Sequence, residues 1–162
     1  MSSNREEKVA LVEAIKEKIQ KSKSLVFLDY RGITVEKDTE LRNKFRAENV
    51  EYRVYKNRLL LRALNELGVT GCEDLLQGTT SVAFSYNDET SAPRIAKEFL
   101  KDVTTMSFKF GVLNGQVIDE AKVKQLAALP TKQVLLTQLL YVLNAPIRGV
   151  AVALNAIAEK QQ

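Results

Sequence analysis

Two short clusters carry most of the chemistry open to this chain. One is Tyr30-Arg31-Gly32; the other is Arg53-Val54-Tyr55-Lys56-Asn57-Arg58. Arginine and lysine neutralise phosphates, and the planes of Tyr and Arg stack on exposed bases. Glycine lets a backbone approach a ligand closely. Tyr30, Arg31, Gly32, Arg53, Lys56, Asn57 and Arg58 are therefore candidates for gripping a nucleic acid, and Lys8 on the first predicted helix is counted with them. Asn57 is placed to cap a helix, whose first N–H groups would then face an anion. Tyr52 and Tyr55 suit packing equally well, and at least one of them is expected to pack.

Catalysis finds little support. The chain has no His, so the commonest general base and metal ligand are missing. Its one cysteine, Cys72, has no imidazole to pair with and reads as a packing residue beside Gly71. No phosphate-binding glycine loop appears, and the carboxylates mostly alternate with Lys and Arg along helix faces. No catalytic residue, metal site or cofactor is expected. A lone cysteine and the lack of an apolar leader fit a cytoplasmic protein.

Charge is unevenly placed. The net charge is +4 overall, yet residues 1–62 carry +5, residues 63–130 carry −3 and residues 131–162 carry +2. The basic excess thus coincides with the two clusters, as a polyanion-facing region requires.

The elements that position the clusters follow from periodicity. Residues 6–22 form an amphipathic helix with Leu11, Ile15 and Ile19 as its stripe, beside Val12. Leu25–Tyr30 is a continuous apolar run, read as a strand buried on both faces. A helix over 35–48 is buried through Leu41 and Phe45, with Thr34 as cap, and residues 51–56 alternate as a strand. The helix after Asn57 ends at Gly68. A strand over 80–86, a helix opened by Pro93 and a strand over 107–113 come next. Asn114-Gly115 marks a hairpin to Val117 and Ile118, and Asp119 caps a last short helix before Pro130. With the helix after Asn57 set aside as an insertion, the order is strand, helix, strand, strand, helix, strand. That is the α+β ferredoxin-like arrangement, a small mixed sheet with packed helices. If the first two strands are parallel neighbours, both clusters emerge on one edge.

The domain closes at Pro130, giving a globular unit over 1–130 and a tail over 131–162. From Lys132 to Glu159 the tail's only intervening charge is Arg148. Leu135, Leu136, Leu139, Leu140, Val142, Leu143, Ile147, Val150, Leu154 and Ile157 recur at helical spacing, too densely for one stripe. Such a helix must be covered from most sides. A bilayer fits poorly, because Gln133, Gln138, Asn144, Arg148, Asn155 and a central Pro146 interrupt the run. Other chains are the better cover. Leu143-Asn144-Ala145 returns as Leu154-Asn155-Ala156, and Leu139 and Val142 align with Val150 and Ala153. Eleven residues are nearly three helical turns, so the copies face alike. Two docking segments on a long protruding helix kinked near Pro146 are expected.

A series of motifs then carries a resemblance. Asp29-Tyr30-Arg31-Gly32, Thr34-Val35, Leu41-Arg42, Tyr55-Lys56-Asn57, Leu59-Leu60, Leu76-x-Gly78 and Leu129-Pro130-Thr131-Lys132 follow in order over essentially the whole chain. Together they resemble the bacterial large-subunit ribosomal stalk-base family, number ten of the large-subunit series. The resemblance implies a structural, non-catalytic constituent of the large ribosomal subunit. Its globular domain would bind large-subunit rRNA at the stalk base, beside a neighbouring stalk-base ribosomal protein. Its C-terminal helix would carry dimers of the acidic stalk protein, which recruit translation factors, and two segments imply two dimers. Relatives usually read Lys-Asn-Thr where this chain has Lys56-Asn57-Arg58, so the Thr role does not carry over and an extra phosphate contact is expected. Some relatives carry three docking segments, against two legible here. The competing class is a small cytoplasmic enzyme or regulatory binding module with a helical oligomerisation tail, disfavoured by the missing His and the two-segment tail.

Overall fold

The computed structural model describes residues 3–69, 71–73, 75–103 and 106–160. The chain divides into two compact units, Met1–Leu129 and Pro130–Gln162. The first comprises α1 (Ser3–Lys21), β1 (Ser24–Asp29), α2 (Val35–Ala47), β2 (Val50–Val54), α3 (Asn57–Glu66), β3 (Ser81–Ser85), α4 (Ser91–Asp102), β4 (Ser107–Leu113), β5 (Gln116–Asp119) and α5 (Glu120–Leu126). The second is the single helix α6 (Lys132–Lys160).

The strands form one sheet in the order β2-β3-β1-β4-β5. Without β5 this is the ferredoxin-like order expected from the element sequence, but the sheet is not mixed: the pairings are all antiparallel. The reason is that the two crossovers interleave. β1 and β2, joined through α2, run the same way with β3 between them; β3 and β4, joined through α4, run the same way with β1 between them.

Successive side chains of a strand point to opposite faces, so a strand apolar at every position needs cover on both. Val26 and Leu28 of β1 pack with Leu41 and Phe45 of α2, Ile95 and Phe99 of α4 and Val123 of α5. Leu25 and Phe27 pack with Val12 and Ile15 of α1, and with Leu60, Ala63 and Leu64 of α3. The helix set aside as an insertion is thus half of the second layer; α3 packs on α1, and Lys16 pairs with Glu66 across them. The α1 stripe is rotated from the expected one. Val12 and Ile15 are buried, whereas Leu11 is 47% exposed.

β4 contains a bulge. Phe27 faces Phe110 while Leu28 faces Phe108, which leaves Lys109 as the extra residue. The irregularity sends Phe108 and Phe110, two positions apart, to opposite faces of the sheet. Phe110 then stacks on Phe27 at 4.1 Å and 12°, worth roughly 0.5–1.5 kcal/mol beyond its buried area. The β4–β5 turn has positive φ at Asn114 (50°) and Gly115 (80°), the geometry the Asn-Gly pair predicts.

α6 begins with the Val134 N–H near the Thr131 hydroxyl, at 3.4 Å. Pro146, the expected place of the kink, lies inside α6, which is one element from Lys132 to Lys160.

Candidate nucleic-acid interface

Leu28, Ser81 and Val54 lie in register across β1, β3 and β2. Beyond that row β1 and β2 end at the same edge of the sheet, β1 in Tyr30 and β2 in Tyr55-Lys56. The two clusters therefore meet. They do so through the loop that leads into β3, not as neighbouring strand ends.

That loop, Leu76 to Thr80, is held from three elements, α3, β4 and β1. The Asn57 side-chain amide donates to the carbonyls of Leu76 (2.8 Å) and Gly78 (2.7 Å). The Lys109 ammonium, aimed there by the bulge, donates to the carbonyls of Gln77 and Thr79 (2.6 Å each) and to the Thr80 hydroxyl (2.8 Å). The Thr79 hydroxyl donates to Asp29 Oδ1, which also accepts the Arg31 N–H at 3.2 Å. Burial pushes the Lys109 amine below its usual range, against the opposing pull of Asp29. Gly78 turns the loop at φ 76°, a conformation side chains resist.

Strand ends, loop and the first turns of α3 border an open hollow of about 890 Å³. Lys8, Tyr30, Val54, Tyr55, Leu59 and Arg62 line it, together with Lys56, Asn57 and Arg58 and the Gly78–Thr80 stretch. Among the described residues, every charged one in that lining is Lys or Arg. The cap position of α3 is Lys56, not Asn57, and it makes no side-chain cap bond; the first turn of α3 has no acidic residue. Asn57, one residue inside, holds the loop instead.

Lys8, Tyr30, Lys56, Asn57 and Arg58 are thus brought together, whereas Arg31, Gly32 and Arg53 do not line the hollow. Arg31 and Gly32 form the turn just past β1, with Gly32 at φ 82°. Arg53 alternates to the α1 side of β2, where its Nε lies 2.9 Å from Glu51. The same carboxylate takes Lys18 (2.6 Å) and the Tyr86 hydroxyl (2.8 Å). Burial alone would raise the Glu51 carboxyl, but the Lys18 and Tyr86 hydrogen bonds and the Lys18 and Arg53 charges hold it below its usual range. Of the two uncertain tyrosines, Tyr52 is core, stacked on Phe45 at 5.2 Å. Tyr55 is half-buried, edge-on to Phe84 at 6.3 Å, and lines the hollow.

Arg62, Thr79, Thr80 and Lys109 were not legible as parts of this site. Arg62 had a signal, since it follows Arg58 by one helical turn. Lys109 had none, because a bulge is a property of strand pairing. Among the described residues no cluster of His, Cys, Asp or Glu is arranged to hold a metal. Cys72 is fully buried, and burial pushes its thiol up.

The tail is a second surface. Leu135, Leu136, Leu139, Leu140, Val142, Leu143, Ile147, Val150 and Leu154 are all exposed, from 39% at Leu135 to 71% at Ile147. Val134, Tyr141 and Val152 extend the same surface. The side chain of Ile157 lies outside the described residues. Arg148 stands over the Tyr141 ring at 4.7 Å, two turns back across Pro146. By length and composition alone residues 132–154, at mean hydropathy 1.3, are sufficient to cross a membrane.

The family model for ribosomal protein L10 matches residues 3–101, and that for the ribosomal protein uL10 C-terminal region matches residues 129–162. The large ribosomal subunit protein uL10 of Clostridium tetani is 47% identical over 162 residues, covering all of this chain and 94% of that protein. Its counterpart from Clostridium acetobutylicum is 42% identical, covering all of this chain and 96% of that protein. The Bacillus licheniformis uL10 is 41% identical, with all of this chain and 98% of that protein covered.

Proposed function

Given that this chain belongs to the ribosomal protein L10 (uL10) family, structural and non-enzymatic constituents of the large ribosomal subunit, we propose that its basic hollow grips ribosomal RNA at the stalk base and that α6 anchors dimers of the acidic stalk protein. As a large-subunit component the protein is cytoplasmic in bacteria. The observation that carries the RNA reading is the lining of the hollow: aromatic and aliphatic walls with Lys8, Lys56, Arg58 and Arg62 and, among the described residues, no carboxylate, Arg62 being shared with Glu66 at 3.1 Å. Cations so placed neutralise phosphates and release counterions. Tyr30 contributes from the β1 end, and Arg31 and Gly32 flank it. Arg53, tied to Glu51, contributes least. Asn57 acts by holding the loop.

The test is binding of the full chain to a large-subunit rRNA transcript across a salt series. Replacing Lys56 and Arg58 together with Ala lowers the slope of log affinity against log salt by about 1.4–1.8. An unchanged affinity and slope would mean that the hollow is not the RNA site.

For α6 the supporting observation is continuous apolar exposure from Leu135 to Leu154, a surface that water does not favour and a helical partner would cover. Arg148 and Pro146 within the span favour protein cover over a bilayer. The eleven-residue repeat gives two segments, hence two dimers, through which translation factors are recruited. Beside the hollow, Val35 is 83% exposed next to Ile33 and Val54. This small apolar patch supports contact with a neighbouring stalk-base protein.

A further inference from the structure

Resting on the reading of the hollow as the rRNA site, we infer that its ligand is an unpaired nucleotide turned out of the RNA, stacked against Tyr30 and Tyr55, and that the site reads this unpaired state and not the identity of the base. Three observations converge. The first is shape. A duplex presents phosphates to a surface but has nothing to place in a recess, whereas this one is about 890 Å³, within the roughly 300–1,000 Å³ typical of small-molecule sites. The second is the wall. Tyr30, Tyr55, Val54 and Leu59 contribute aromatic and aliphatic surface to the lining, while Lys8, Lys56, Arg58 and Arg62 supply the charge a backbone needs. Single-stranded RNA is held by this combination of stacking and phosphate neutralisation.

The third is what the polar groups are already doing. Both hydrogens of the Asn57 amide are taken by Leu76 and Gly78. All three hydrogens of the Lys109 ammonium are taken by Gln77, Thr79 and Thr80. The Thr79 hydroxyl is given to Asp29. Base identity is read by donors and acceptors directed at base edges. Here the neutral amide of Asn57, the Thr79 hydroxyl and the Lys109 ammonium are turned inward to build the loop, and the aromatic surface of Tyr30 and Tyr55 remains in the lining for stacking, which any base satisfies.

The full chain has five tyrosines and no tryptophan, so tyrosine fluorescence reports stacking directly. On binding a large-subunit rRNA transcript the emission is quenched. Tyr30→Phe and Tyr55→Phe keep the affinity and each removes part of the quenching. Tyr30→Leu and Tyr55→Leu weaken binding roughly 5- to 150-fold each, with the salt slope unchanged. If Tyr55→Leu fails to fold, because Tyr55 rests on Phe84, the Tyr30→Leu affinity and the Phe-variant quenching decide. Leu variants that bind within about twofold of the parent, while the Lys56/Arg58 double variant weakens, overturn the stacking inference and leave the phosphate site standing. Loss of neither overturns both.

Discussion

Asn57 and Lys109 grip the same loop at alternate carbonyls. Asn57 takes those of Leu76 and Gly78, and Lys109 takes those of Gln77 and Thr79. One residue opens α3 and the other is the bulge of β4, so the loop between the two basic clusters is fixed by chain from both sides of the sheet. The order of the hollow depends on groups that do not themselves need to touch RNA.

Asn57→Ala should therefore destabilise the fold and weaken RNA binding together. Leaving the partly buried Leu76 carbonyl without its donor costs about 1–3 kcal/mol, read as a lower urea midpoint. The rRNA affinity falls while the salt slope stays, because no cation has been removed. Weaker binding with unchanged stability would make Asn57 a direct RNA contact.

Glu51 predicts a pH dependence. Its folded carboxyl lies below the ordinary value of 4.5 because the Lys18 and Tyr86 hydrogen bonds and the Lys18 and Arg53 charges outweigh desolvation. A carboxyl lowered on folding binds more protons when unfolded, so stability rises with pH through this window. The contribution is complete above about 4.5 and is lost as pH falls through the lower folded value. Glu51→Gln should be less stable at pH 7 and should show a shallower acid limb in urea midpoint against pH. Parallel acid limbs for the two proteins would refute the assignment.

A fragment of residues 1–130 should fold alone and bind rRNA. Among the described residues the buried clusters draw on Val12 to Val123, and Ala127 is the last buried position. Circular dichroism and filter binding on the fragment check this. An unfolded fragment would show that α6 is needed by the core.

Full-length protein should carry two dimers, four copies, of the acidic stalk protein, counted by native mass measurement. Leu154→Asp, in the second copy of the repeat, should remove one dimer and spare the other. Six bound copies would place a third segment upstream, around Val134–Gln138; two would make the repeat a coincidence. Loss of both dimers in Leu154→Asp would show that the segments act as one.

Local chemistry made much of this protein legible in one dimension. The all-apolar run Leu25–Leu28 announces a strand covered on both faces, and Asn114-Gly115 fixes a hairpin because few residues tolerate positive φ. The density of Leu and Val from Leu135 onward, with hardly a charge, gives a helix that needs cover. Each of these depends on neighbours within a few residues. Tertiary pairing decided the rest. β3 comes between β1 and β2, so the two clusters meet around a loop that the sequence treats as a mere connection. The register of β4 against β1 leaves Lys109 unpaired in the ladder and directs its ammonium to that loop, while the alternation of β2 turns Arg53 back to Glu51. α3 becomes half of a core layer because β1 has a second face to cover. Hydrophobic periodicity specifies which side of each element is buried, but not which other element buries it, since the effect is non-directional and any apolar partner would serve.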